Sequence, residues 1–247
     1  MTNGGFSAKI EKVLIDLEHA LSVKYFSVAI DGPAGAGKST MARRAAQALG
    51  FVYVDTGAIY RAVGYAALRA GADPRDADAV GELLPGMQMR LDWTADGVQH
   101  VLLNGEDLTA LLRKPEVSEA ASLVSAQPAV RRFLLDTQRN LAKTHNVIMD
   151  GRDIGTVVLP EADVKIFLSA SAEVRARRRW LELQAAGRAD TYEEVLRDLN
   201  ERDYRDTHRE IAPLACAADA VSLDTSSLSP EECVGEILRI IREKTGK

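Results

Sequence analysis

Beyond residue 25 the chain carries five short apolar runs, at 26–30, 51–54, 147–149, 164–168 and 220–223. Each is dense in Val, Ile, Leu or Phe and too short for a buried helix, so each is predicted as a strand. Between and after them apolar residues recur every three to four positions. That spacing predicts helices over 38–49, 58–70, 116–126, 128–144, 171–186, 191–207 and 230–244. Strands apolar on both faces and separated by helices predict an α/β fold, a parallel sheet covered on each side with right-handed crossovers. One stretch breaks the alternation. Residues 87–93 and 98–103 alternate with period two around a turn at 94–97, and Asn104-Gly105 marks a second turn. These predict a small antiparallel β insertion, followed by helices, forming a lobe over one side of the sheet.

Local signals fix several helix ends. Thr191-Tyr192-Glu193-Glu194 and Ser229-Pro230-Glu231-Glu232 are capping boxes, the second with proline at the first helical position. Gly50 suits a left-handed C-cap. Ahead of the first strand, Ile10, Val13, Leu14, Leu17 and Leu21 predict an amphipathic helix over 7–22. The chain is therefore read as an extension over 1–24 and a main domain over 25–247.

Composition narrows the function classes. In 247 residues there are 31 Lys+Arg and 36 Asp+Glu, a net charge of −5. An acidic total disfavours a nucleic-acid backbone binder, because each neutralised phosphate needs a cation; a small phosphorylated ligand needs only a few local charges. Two cysteines and four scattered histidines have no metal-ligand spacing. No apolar run approaches the ~18 residues of a membrane span, and Glu11, Lys12, Asp16 and Glu18 interrupt any secretory leader. The expectation is a cytoplasmic monomer with neither a membrane nor a nucleic-acid partner.

The strongest chemical signal is Gly32-Pro33-Ala34-Gly35-Ala36-Gly37-Lys38-Ser39, a full G-x-x-x-x-G-K-[ST] match between a predicted strand and a predicted helix. Its glycines let backbone N–H groups converge on phosphate oxygens, and the helix N-terminus adds partial positive charge. Lys38 reaches the outer phosphates, and the Ser39 hydroxyl suits Mg²⁺. These residues with Thr40 are the expected ATP site. Asp150 ends the strand at 147–149, the usual position of a carboxylate that holds magnesium water. No Asn-Lys-x-Asp guanine reader and no Leu-Ser-Gly-Gly-Gln transporter signature is present.

A second set of charges suits a second anion. Asp150-Gly151-Arg152-Asp153-Ile154-Gly155 follows a central strand, where ligands bind in open α/β sheets. Arg202, Asp206 and Arg209 share one helix face, as side chains for a phosphate and a sugar hydroxyl would. Asp55-Thr56-Gly57-Ala58-Ile59-Tyr60-Arg61 follows the second strand.

Together the segments 32–40, 55–61 and 150–155 and the pattern Glu201-Arg202-Asp203-x-x-Asp206-x-x-Arg209, with Ala212-Pro213-Leu214, resemble the bacterial cytidylate kinases over 26–245. The resemblance implies a three-layer P-loop NTPase core with a five-stranded parallel sheet, a monophosphate-binding lobe over about 56–145 and a helical lid over about 175–190. It implies ATP as phosphoryl donor, CMP or dCMP as acceptor and Mg²⁺ as cofactor. Thr56, Ser122, Arg131 and Asp153 would meet cytosine. Arg61, Arg152 and Arg209 would meet the acceptor phosphate, and Arg202 and Asp206 the ribose. Lys38, Arg152 and Arg178 are the expected catalytic groups. The arginines at 175, 177, 178, 179 and 188 resemble those of a lid over ATP. Ser39 and, through water, Asp150 would hold the metal. Two other readings of the same sequence are a P-loop kinase for another small acceptor, such as UMP or shikimate, and an ATP-switched interaction module.

Charge counting within 175–209 sharpens the view of the net −5. Nine arginines face eight carboxylates there. Phosphate would thus be met by placed guanidinium forks and backbone amides, without a broad positive field.

Overall fold

The structure, a computed structural model, describes residues 24–246; the predicted helix at 7–22 lies outside the described residues. The chain opens with β1 (Ser27–Asp31), α1 (Lys38–Leu49), β2 (Val52–Asp55), α2 (Thr56–Arg69) and α3 (Ala77–Leu83). It continues through β3 (Met89–Trp93), β4 (Gln99–Leu103), β5 (Glu106–Asp107), α4 (Pro115–Val124) and α5 (Pro128–Thr144). It closes with β6 (Val147–Gly151), β7 (Val164–Ser169), α6 (Ala172–Ala185), α7 (Tyr192–His208), β8 (Val221–Asp224) and α8 (Pro230–Thr245).

Among the described residues, β2, β6, β1, β7 and β8 form a parallel five-stranded sheet in that order, and β3, β4 and β5 form a small antiparallel sheet. All five predicted core strands are present. One face of the large sheet is covered by α1 and α8, which bury Ala42, Ala45, Ile237 and Ile241 against Val28, Ile30 and Ile166. The opposite face carries α2, whose Ile59, Ala62 and Val63 join Val54, Met149 and residues of the small lobe. A fully buried Ile or Val contributes roughly 1.5–3 kcal/mol, so these two apolar layers hold the sheet between them.

The capping signals act as the sequence indicates. Thr191 and Ser229 each accept from the third helical N–H, and Glu194 and Glu232 reach back to the caps. Gly50 closes α1 with φ 67°. Asn104 and Gly105 both take positive φ, 52° and 83°, and turn the chain into β5. The elements not foreseen are the short α3, the two-residue β5, single 3₁₀ turns at Leu84–Gly86 and Leu111–Arg113, and a π-turn over Ile154–Val158 in which the Leu159 N–H donates to the Ile154 carbonyl at 2.7 Å. α3 is set off by an Asx cap, Asp76 accepting from Asp78 and Ala79, and is too short for its periodicity to stand out.

β2 lies at the edge of the large sheet, and the small lobe satisfies its backbone. The Gln99 amide oxygen accepts from Asp55 N at 2.8 Å, its nitrogen donates to Asp55 O at 3.3 Å, and Trp93 Nε1 donates to Tyr53 O at 2.9 Å. Helices α2 and α4 lie close because Gly64 has no side chain: a Cβ there would sit 2.9 Å from Ala121 N and 3.0 Å from Ala120 C. That approach carries α4 over the C-terminal ends of the strands.

Candidate active site

Three neighbouring strands end together. The register pairs Asp150 of β6 with Asp55 of β2 on one side and Ile30 of β1 on the other. Carboxylates and the phosphate-type loop therefore meet at the sheet's C-terminal edge, around a cleft of about 760 Å³.

The loop leaving β1 needs its glycines. Gly32 has φ 147°, and a Cβ there would fall 1.9 Å from the Leu168 carbonyl oxygen of β7. Gly35 and Gly37 are left-handed at 73° and 85°, and Gly37 begins α1 with no side-chain cap, leaving first-turn N–H groups for an anion. Residues 34–40 line the cleft; Gly32 and Pro33 are not among its lining residues. Lys38 is buried and donates from Nζ to the Pro33 carbonyl at 2.7 Å. Burial first, then the Arg152 charge, holds its ammonium well below the usual lysine range; phosphate oxygens would reverse that penalty.

Asp150 is buried beside this lysine. Its carboxylate accepts from Ser39 Oγ and Tyr53 OH, both at 2.9 Å. Burial, reinforced by Asp55, raises its pKa to about 6. Thr56 Oγ1 donates to the Asp150 carbonyl at 2.7 Å, joining the start of α2 to the end of β6. Among the described residues no group of three or more His, Cys, Asp and Glu could hold a metal ion. A cation here would thus depend on Ser39, Asp150 and the oxygens of a ligand.

The arginines expected for the acceptor are brought together and held by carboxylates. Arg61 Nη2 pairs with Asp55 at 2.7 Å, and Arg152 Nε with Asp206 at 2.8 Å. Asp153 lies between two guanidiniums. Arg131 pairs with its Oδ2, and Arg209 Nη2 with its Oδ1 at 3.0 Å, the side chains of all three being less than a tenth exposed. Such pairing fixes side-chain geometry before a ligand arrives. Arg202 is the exception. Its Nε is buried with no hydrogen-bond partner among the described residues, and burial lowers its pKa to about 10. An underserved cation at the cleft wall suits an incoming anion. The buried hydroxyl of Ser122 likewise has no partner among the described residues.

Thr56, Arg61, Ser122, Arg152, Asp153, Arg202, Asp206 and Arg209 all line the cleft, as Ser118 and Ser125 do. Arg131 does not; it sits behind Asp153, 5.8 Å from the centre of the Tyr60 ring. Arg209 is the residue capping the end of α7, with extended backbone, and its Nε donates to Ala212 O at 2.6 Å. Of the arginines resembling a lid, Arg178 and Arg179 line the cleft, and Arg178 donates to the Thr225 carbonyl at 2.6 Å. Arg188 pairs with Asp190 instead. Arg175 departs from the expectation: it is buried, faces no cleft, and bonds to the underside of the glycine-rich loop.

Two further residues escaped sequence reasoning. Asp31 is buried, and its carboxylate accepts from Ile154 N at 2.8 Å and Gly155 N at 2.7 Å. It thereby ties the start of the glycine-rich loop to the loop bearing Arg152 and Asp153. Its one sequence signal was an acid ending an otherwise apolar strand. Gln99 braces Asp55, and nothing local to the β insertion marks it for that task.

The geometry can be set beside known proteins. A family model described as cytidylate kinase matches residues 28–243. The cytidylate kinase of Desulfitobacterium hafniense is 49% identical over 221 residues, covering 90% of this chain and 94% of its own. That of Ligilactobacillus salivarius is 50% identical over 223 residues, 90% of this chain and 99% of its own. Among solved structures, a shikimate kinase from Bacteroides thetaiotaomicron aligns over 88% of this chain and 98% of its own, with TM-score 0.45 and 14% identity. With a phosphate-type loop, a paired acid and an arginine-lined cleft on one sheet edge, and with half of its residues shared along nearly its whole length, the chain belongs to the cytidylate kinase family.

Proposed function

We propose that this protein transfers the γ-phosphoryl group of ATP to CMP or dCMP, giving ADP and CDP or dCDP. Family membership supports the reaction class. The observation that carries the substrate assignment is Asp153, held at the cleft wall by Arg131 and Arg209. A carboxylate there accepts from the exocyclic amino group of cytosine. Uracil offers a carbonyl at that position, facing the carboxylate lone pairs, and sites built around a hydrogen bond reject analogues that lack it.

The acceptor phosphate is already ionised, so no strong general base is needed. Catalysis rests on alignment and charge stabilisation. Residues 34–40 cradle the ATP phosphates with backbone N–H groups, and Lys38 turns from the Pro33 carbonyl to the outer phosphates. Arg61, Arg152 and Arg209 orient the acceptor phosphate, while Arg202 and Asp206 meet the ribose. Thr56 and Ser122 complete the cytosine site. Arg178, anchored at Thr225, faces ATP from a lid over about 175–190, and the acceptor lobe spans about 56–145. Ser39 and Asp150 offer hard oxygen donors 2.9 Å apart, and the carboxyl raised to about 6 is one a divalent cation would favour in its charged form. Ser39 would bind Mg²⁺ directly and Asp150 through water, and a cation held there would neutralise charge on the ATP phosphates. The proposal is for a cytoplasmic monomer. Among the described residues no helix is long and apolar enough to cross a membrane.

A coupled assay tests the reading. ADP release is expected only when CMP or dCMP is added, with UMP a poor substitute. Equal turnover with UMP overturns the cytosine assignment, and hydrolysis independent of acceptor overturns the transferase. The alternatives, a P-loop kinase for another small acceptor such as UMP or shikimate and an ATP-switched interaction module, are not favoured, the curated relatives being named cytidylate kinase.

A further inference from the structure

Arg175 stands at the N-terminal end of α6 but does not reach into the cleft. Its guanidinium is spent in three directions: Nε to Ala170 O at 2.9 Å, Nη1 to Ala34 O at 2.9 Å, and Nη2 to Asp203 Oδ2 at 2.7 Å. Ala34 belongs to the glycine-rich loop and Asp203 to α7. The loop rests on this arginine in a second way as well. A Cβ on Gly35 would lie 3.3 Å from Arg175 Cβ, and the Ala34 methyl is buried in a cluster with Ala176, Val195 and Leu199.

The peptide between Ala34 and Gly35 is trans, since no described peptide is cis. In a trans peptide the carbonyl and the following N–H point to opposite sides. A guanidinium that pulls the Ala34 carbonyl down onto α6 therefore aims the Gly35 N–H the other way, into the cleft that Gly35 lines. Asp203 lies between Arg202 and Asp206 in the chain, the two groups assigned to the acceptor.

We propose that Arg175, braced by Asp203, is a positioning residue for the donor: it sets the Ala34–Gly35 peptide so that the Gly35 N–H faces the ATP phosphates, and links that peptide to the helix carrying the acceptor groups. This rests on the donor site assigned above. A free loop samples both peptide orientations and must be reordered at binding, which raises the ligand concentration needed without changing the groups that touch it.

The test is steady-state kinetics with MgATP and CMP varied separately, together with calorimetric titration of ATP and a melting curve, on wild type, Arg175→Lys and Asp203→Asn. Lysine keeps the charge but can serve only part of the three-way fork. The KM and Kd for ATP are expected to rise about tenfold in Arg175→Lys and about threefold in Asp203→Asn, as expected for weakening a charge-assisted hydrogen bond. The KM for CMP is expected to change less than twofold in Arg175→Lys. A purely structural arginine would lower the melting temperature and leave the ATP constants alone; that result overturns the proposal, as does a larger effect on CMP than on ATP. Should Arg175→Lys fail to fold, Asp203→Asn decides by the same criterion. Wild-type protein that binds ATP but does not phosphorylate CMP would sink the reaction assigned above, and the ATP titration alone would still judge Arg175.

Discussion

Gly64 provides a sharp test of how the proposed acceptor lobe is seated. It lies in the middle of α2, facing α4, and a methyl there would meet Ala121 N at 2.9 Å, with Ala120 C and Cβ at 3.0 Å. Two of these are backbone atoms, which cannot rotate aside, so α4 must retreat by several tenths of an ångström. In an open helix, Gly→Ala gains about 0.5–1 kcal/mol from reduced unfolded-state freedom and better propensity. Gly235 in α8 has nothing within 4 Å of a new Cβ and should show that gain. At Gly64 the same gain is opposed by overpacking worth about 1–3 kcal/mol, toward the upper end because backbone is the obstacle. The expected outcome is a net loss of roughly 1–2 kcal/mol for Gly64→Ala, against a gain for Gly235→Ala. Urea denaturation of both variants measures the difference. The functional consequence is local: α4 carries Ser122, so the KM for CMP should rise several-fold in Gly64→Ala, with the KM for ATP unchanged. Equal stability of the two variants would refute the packing argument. An effect on ATP equal to that on CMP would refute the claim that α4 serves the acceptor.

Other outcomes follow from the buried charges. The pKa of Asp31 is raised from 3.8 to about 6, burial outweighing the two backbone N–H groups it accepts from, with Asp153 adding to the rise and Lys38 opposing it. The native state then holds a proton that the unfolded chain has lost, so the Asp31 contribution to stability falls as pH rises from about 4 to 6 and is level above. That gap corresponds to about 3 kcal/mol. Wild type should therefore lose up to that much relative to Asp31→Asn across this window, and a widening advantage for wild type in urea melts at rising pH would contradict it. Asp153→Asn leaves Arg131 and Arg209 buried without their counter-charge, an expected loss of about 3–5 kcal/mol. The same variant should cut the CMP-to-UMP ratio of kcat/KM at least about tenfold, and an unchanged ratio would remove Asp153 from the specificity site. Lys38→Met should abolish most turnover while the melting temperature holds or rises, since burial already penalises the ammonium; near-normal turnover would rule out its assigned role.

Much of this protein is determined along the chain. Apolar runs too short for helices, separated by segments of helical period, specify the five parallel strands; burial on both faces forces near-continuous apolarity in the central β1 and β6, while edge strand β8 keeps only Val221 and Leu223 half-buried. The glycine-rich loop is legible because its chemistry needs glycines, a lysine and a hydroxyl at fixed local spacing. Arg202 and Asp206 are legible because one turn of helix sets their common face. What local pattern cannot contain is partnership across the sheet. Asp31 with the amides of residues 154 and 155, Gln99 with Asp55, Arg131 behind Asp153 and Arg175 beneath Ala34 each join residues far apart in the chain. Residue type and spacing read the same for an arginine that reaches a phosphate and one that holds the loop that does. Only the folded packing, through burial and direction, separates them, and it places Arg175 beneath the glycine-rich loop, bonded to the Ala34 carbonyl.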